Sequence, residues 1–202
     1  MFRVLTVFAL FLITSFDQEQ KRIVFFGDSI TAGYGINLES AFPALIEEKL
    51  KQAGKTYDVV NAGLSGETTA GGLQRIDWVL RSKPDIFILE LGGNDGLRGL
   101  SLDETRSNLK AMIQKIRLVK ADTEIILAGM QIPPNLGQAY TAEFSALFSD
   151  IAQSEGVKLI PFLLEGVGGE PELNLSDGIH PNEAGHEIVA ETIWTYIKPL
   201  LN

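Results

Sequence analysis

Short apolar runs and amphipathic stretches alternate along this chain. Residues 23–26, 57–61, 86–91, 124–128 and 157–160 are mostly apolar and often β-branched. Continuous apolar runs of that length predict strands covered on both faces, as in a parallel sheet. Helical spacing fills the gaps. Residues 40–53 place Ala44, Leu45 and Leu50 on one side, and Gly54 stops the run. Residues 69–81 carry Leu73, Ile76 and Leu80, with Pro84 beyond. Residues 103–120 repeat Leu109, Met112, Ile113, Ile116 and Val119 at intervals of three and four. Residues 139–155 end at Gly156. A last helix is expected from Pro181, a favoured first helical position, through Val189, Ile193 and Ile197.

Five strands, each followed by a helix, predict right-handed crossovers and a three-layer α/β/α sandwich around a five-stranded parallel sheet. Sites in such folds lie beyond the carboxyl ends of the strands. The loops there are Gly27-Asp28-Ser29, "NAGLSGETT" (61–69), "GGNDGLRG" (92–99), "MQIPPNLGQ" (130–138) and, later, "DGIHP" (177–181). Small, polar and conformationally special residues thus gather on one rim.

A serine hydroxyl is a poor nucleophile until a neighbouring base takes its proton. The chain has two histidines, His180 and His186. His180 is expected on the rim, and His186 on the final helix, away from it. Asp177 lies three residues before His180, in a turn from which a carboxylate can reach the imidazole and fix its tautomer. Attack on an acyl carbonyl also creates an oxyanion that needs preorganised donors. Gly66 offers a backbone N–H with no side chain in the way. Asn94 offers its amide, and Ser29 its own N–H. Each feature alone has a plainer explanation. Gly-Asp-Ser is a common turn, Asn94-Asp95 suits a self-bonded loop, Asp177 suits an Asx turn and His180 a surface site. Asp28 and Asp95 are expected to orient backbone rather than to react. Together on one rim, the four elements supply what acyl transfer requires. Leu97 and Leu100, in a Gly-flanked loop, are candidate walls of an acyl groove; the plainer reading is a connection to the next helix.

Composition narrows the field. A formal charge of −9 disfavours nucleic-acid backbones and anionic membrane surfaces. The absence of cysteine removes disulfides, thiolate catalysis and cysteine zinc sites. Two histidines leave little for a multi-histidine metal centre. No phosphate-binding glycine loop of the nucleotide-binding types is present. The first sixteen residues, "MFRVLTVFALFLITSF", hold an apolar run from Val4 to Ile13 behind Arg3. That run is too short to span a bilayer and fits the apolar region of a signal peptide. An N-terminal strand or helix is the alternative. Residues 17–202 are expected to form one domain.

The four blocks Gly27-Asp28-Ser29, Gly66, Gly92-Gly93-Asn94-Asp95 and Asp177-Gly178-Ile179-His180 resemble the pattern of the SGNH, or GDSL-like, hydrolases. "FPALIEEKL", "SGETT", "ELGGNDGLRGL" and "DGIHPN" are most similar to their bacterial multifunctional thioesterase/lysophospholipase/arylesterase group. The resemblance implies a flavodoxin-like fold with Ser29 as nucleophile, His180 as base and Asp177 as its partner. It further implies an oxyanion hole from Ser29, Gly66 and Asn94, export from the cytoplasm, and no metal or other cofactor. Ile132 and Pro133 are further candidate substrate contacts. The expected activity is hydrolysis of carboxylic esters and thioesters (aryl esters, acyl-CoA, lysophospholipid) by a monomer. Removal of acetyl groups from carbohydrate on the same triad, and a non-catalytic binding module, are the alternatives.

Overall fold

The structure, a computed structural model, describes residues 20–201; the expected signal segment lies outside them. Strand β1 (Arg22–Gly27) leads into a short helix α1 (Ser29–Ala32), then α2 (Phe42–Gln52). Next come β2 (Asp58–Gly63), α3 (Thr69–Val79), β3 (Ile86–Glu90), α4 (Gly93–Leu97), α5 (Leu102–Val119) and β4 (Glu124–Ala128). Helix α6 (Gln138–Glu155), β5 (Lys158–Ile160) and α7 (Glu183–Ile197) complete the fold. The strands are all parallel, in the order β2-β1-β3-β4-β5. This is the expected sandwich. The chain leaves β1 toward one edge for β2 and then returns to its other side for β3. The carboxyl end of β1 is therefore the point where strand order reverses, and open α/β sheets place their ligands there.

Neighbouring side chains on β1 show why the layers form. Successive strand residues point to opposite faces. Phe25 meets Phe42 of α2 edge-on, with ring centroids 5.5 Å apart. Phe26 faces the other layer, where the Arg75 guanidinium of α3 lies 4.1 Å over its ring. Both phenylalanines are fully buried, and each such burial is worth about 1.5–3 kcal/mol. Helices α2 and α7 pack together in one layer, and α3, α5 and α6 in the other.

Several expectations need correction. β1 from Ile23 onward and all of β3 are buried, as their apolar runs predict, but β2 is an edge strand, half-buried with Asn61 exposed. It runs to Gly63, two residues beyond the expected strand end at Asn61, because its ladder with β1 extends to the pair Gly27–Gly63. β5, the other edge, has only three residues. The buried face of α2 is Phe42, Ile46 and Leu50, while Ala44 and Leu45 are half-buried. Val119, at the end of α5, is exposed. Helix α7 begins at Glu183 rather than at Pro181. The Asn182 side chain caps it by accepting from Gly185 N–H at 3.0 Å, so the first turn starts one residue beyond that cap. Pro181 instead sits in an isolated antiparallel bridge with Asn174.

Candidate active site

Ser29 opens α1, separated from β1 by Asp28 alone, rather than lying on a loose turn. Asp28 caps that helix, its Oδ1 accepting from Ile30 N–H at 3.0 Å. The corner is tight. A Cβ on Gly27 would fall 2.2 Å from both Glu90 Oε2 and Thr31 Oγ1, so only glycine fits there. The Glu90 carboxylate stands under the corner, its Oε2 accepting from Asp28 N–H at 3.0 Å and from Thr31 Oγ1 at 2.8 Å. Its Oε1 has no partner among the described residues. Burial pushes the Glu90 carboxyl well above the ordinary range, and the nearby Asp28 charge adds to the effect.

His180 reaches Ser29 across 151 positions of sequence. Its Nε2 lies 2.9 Å from Ser29 Oγ, and its Nδ1 lies 2.7 Å from Asp177 Oδ2. With the proton on Nδ1, that atom donates to Asp177 and Nε2 is left to accept from the serine hydroxyl. Asp177 Oδ1 also accepts from the backbone N–H groups of His180 at 3.0 Å and Ile179 at 2.9 Å. Those bonds, the one from His180 N–H foremost and the imidazole contact after them, hold the Asp177 carboxyl down at about 2. It is therefore a carboxylate at any pH near neutrality. Leu175 N–H donates to His180 O at 2.7 Å, which pins the loop. The Tyr34 ring lies 4.6 Å from the imidazole, tilted by 43°, and Tyr34 N–H donates to Ser29 O at 3.0 Å.

The expected oxyanion donors come from three loops. Among the described residues, Ser29 N–H and Gly66 N–H have no acceptor. Gly66 has φ +78°, in the left-handed region that favours glycine. Asn94 Nδ2 donates to Asp28 Oδ2 at 2.9 Å, which occupies one of its two hydrogens. Burial raises the Asp28 carboxyl to about 6, against the opposing bonds from Ile30 and Asn94. Asp28 thus orients a side-chain amide as well as backbone. Asp95 behaves as expected of a structural group: it accepts from Thr69 N–H at 2.9 Å and from Thr69 Oγ1 at 2.5 Å, tying the start of α3 to α4.

Of the expected substrate contacts, Leu97, Leu100 and Pro133 are exposed. Ile132 is buried against Gly96. Leu136, which no sequence pattern singles out, is 42% exposed and lies beside Gly99. His186 stands outside the site. It is buried in α7, stacked on Phe42 at 5.9 Å, and its Nδ1 accepts from Phe42 N–H at 3.1 Å.

Other residues join the site without having been expected there. Arg75 and Glu67 form an ion pair beneath the loop that carries Gly66, and Arg75 Nη2 also donates to Ala62 O at 2.8 Å. Arg98 Nη2 donates to Gly66 O at 3.0 Å and to Asn94 Oδ1 at 3.2 Å. Glu90 is an acid at the end of an otherwise apolar strand, a signal that no motif in the sequence turns into a role.

Comparison with known proteins places the chain in a family. The chain is 42% identical over 194 residues to Esterase TesA of Pseudomonas aeruginosa, covering 96% of this chain and 95% of the relative. It is 36% identical to Thioesterase 1/protease 1/lysophospholipase L1 of Escherichia coli, covering 89% and 85%. A crystal structure of TesA superimposes with a TM-score of 0.85 at 41% identity, covering 90% of this chain and all of that one. The model of the GDSL-like lipase/acylhydrolase family matches residues 25–188, and the chain belongs to that family.

Proposed function

We propose that this protein hydrolyses carboxylic esters and thioesters through an acyl-enzyme on Ser29. The observation that carries the reading is the unbroken hydrogen-bond chain from Ser29 Oγ through His180 to Asp177. As Ser29 Oγ attacks the acyl carbonyl, its proton passes to His180 Nε2. The imidazolium that forms is stabilised by the Asp177 carboxylate. The carbonyl oxygen becomes an oxyanion, received by Ser29 N–H, Gly66 N–H and the second hydrogen of Asn94 Nδ2. When the tetrahedral intermediate collapses, His180 returns the proton to the departing alcohol or thiol. Water then repeats the attack on the acyl-enzyme, with His180 as base, and releases the acid and free Ser29.

The named activities of the relatives support esters and thioesters as the substrate class: esterase, arylesterase, thioesterase and lysophospholipase. Leu97, Leu100 and Pro133 are exposed apolar side chains after the oxyanion loop and suit an acyl chain, with Leu136 beside Gly99 and Ile132 buried beside Gly96. The protein acts on these small molecules as a monomer. Residues 1–16 serve as an export signal, a reading supported by their apolar run behind Arg3. The structure holds no helix long and apolar enough to cross a membrane among the described residues.

The test is turnover of a panel of p-nitrophenyl esters, acyl-CoAs, lysophospholipids and acetylated sugars by the wild type and by Ser29→Ala. Ser29→Ala is expected to abolish turnover while its circular dichroism spectrum stays unchanged. Retained turnover would remove Ser29 from the mechanism. A steep preference for acetylated sugars would move the substrate class to carbohydrate O-acetyl groups.

A further inference from the structure

Two of the oxyanion donors, Gly66 and Asn94, belong to separate loops that follow β2 and β3. Something must hold them in one register, because each donor must lie about 2.7–3.1 Å from the position the oxyanion will occupy. Backbone pairing cannot do it, since both loops lie past the ends of their strands. One side chain touches both. Arg98 ends α4, where its N–H donates to Asn94 O at 3.2 Å. Residues four apart on a helix are neighbours, so its guanidinium folds back over the Asn94 side chain. There a single nitrogen, Nη2, meets Asn94 Oδ1 at 3.2 Å and Gly66 O at 3.0 Å.

The consequences differ for the two donors. An asparagine amide can flip, and the flipped form would aim its oxygen, not its N–H, at the developing negative charge. Two contacts here oppose the flip. The Asp28 carboxylate accepts from Nδ2 at 2.9 Å, and the Arg98 guanidinium donates to Oδ1. Flipping would set oxygen against carboxylate and N–H against guanidinium, two mismatches at once. For Gly66 the issue is torsional. With φ at +78° and no side chain, its backbone lacks the restraint that a Cβ would impose. The bond to Arg98 fixes the carbonyl side, and Glu67 N–H, which donates to Leu64 O at 3.1 Å, closes the turn behind it.

We propose that Arg98 is a positioning residue that locks Gly66 and Asn94 together as one oxyanion hole. The proposal rests on the serine-hydrolase reading above. Arg98 touches no reacting atom; it acts through the two donors. Arg98 is exposed, so its replacement leaves the core intact.

The experiment measures kcat and KM with a neutral short p-nitrophenyl ester for Arg98→Met, which keeps the apolar stem, and for Arg98→Lys. Arg98→Met is expected to lower kcat about 10- to 100-fold, less than outright loss of a donor, with KM changed less than about threefold. Arg98→Lys should recover part of the loss. In an Asn94→Ala background Arg98→Met should cost only about threefold more, the remainder carried through Gly66. The proposal is overturned if Arg98→Met keeps kcat within about twofold of wild type, or if its full loss multiplies onto that of Asn94→Ala. An effect confined to KM and larger for acyl-CoA than for the neutral ester also overturns it, and would assign Arg98 to a phosphate on the substrate. Ser29→Ala, run alongside, separates the two levels: turnover surviving in that variant defeats the hydrolase reading itself, whatever Arg98 does.

Discussion

His180 and His186 are six residues apart, and one fold gives them opposite environments. His180 stands at the rim with both ring nitrogens engaged, one by a carboxylate and the other by a hydroxyl. It can take a proton because a carboxylate waits to stabilise the result. His186 is buried among apolar neighbours and accepts from Phe42 N–H through Nδ1. Burial pushes its imidazole down to about 4, with the positive field of His180 as a smaller contribution. A neutral ring is all that position can hold. The difference teaches that histidine chemistry here is set by the partner on the second nitrogen and by access to water. The cap at Asn182, between the two, is where the chain turns from rim to core.

The largest expected break in the comparison comes from His180→Ala. Loss of the base should lower kcat by about 10³-fold or more, leaving only binding and the oxyanion donors. Asp177→Asn should follow, with a loss of about 10²- to 10⁴-fold, because Asn cannot stabilise the imidazolium and offers the imidazole the wrong tautomer. Steady-state rates on an aryl ester check both. His186→Leu should invert the pattern. Turnover by the folded protein stays within about twofold, while stability falls by about 1–3 kcal/mol as the Phe42 N–H loses its acceptor. Urea unfolding beside the same assay separates the two effects.

The narrowest effect is one of pH, confined to stability. The unfolded chain protonates His186 near 6.5, whereas the native state holds it neutral down to about 4. Between those values the unfolded state binds more protons, so stability must rise with pH. The contribution is complete above about 6.5, declines as pH falls, and is gone below about 4. His186→Asn retains an acceptor for Phe42 N–H but cannot protonate. Its unfolding free energy should therefore lose less than the wild type between pH 6.5 and 4. Asp177, held at about 2, stays ionised through this window and does not contribute to the slope.

Much of the layer plan was legible because buried parallel strands carry unbroken apolar runs, as in residues 86–89. The edges were not, because β2 is defined by its ladder with β1 and not by its own half-polar sequence. The start of α7 was misread because proline signals a first turn only when no better cap follows, and Asn182 follows. The expected site residues Ser29, His180, Asp177, Gly66 and Asn94 could be named because each needs a particular chemistry at a strand end. Arg98, Arg75 and Glu90 could not be assigned from sequence. A guanidinium in a loop or an acid at a strand end acquires meaning only from atoms distant in the chain. For Arg98 the bond to Gly66 crosses 32 positions, and for Glu90 the bond to Asp28 crosses 62.

The account depends on a serine hydroxyl activated by His180. Treatment with a fluorophosphonate, followed by peptide mass spectrometry, tests that most directly. The adduct should fall on Ser29 alone in the wild type, and its rate of formation should drop by about 10³-fold in His180→Ala. Labelling at another residue, or at Ser29 with an undiminished rate in His180→Ala, would contradict it.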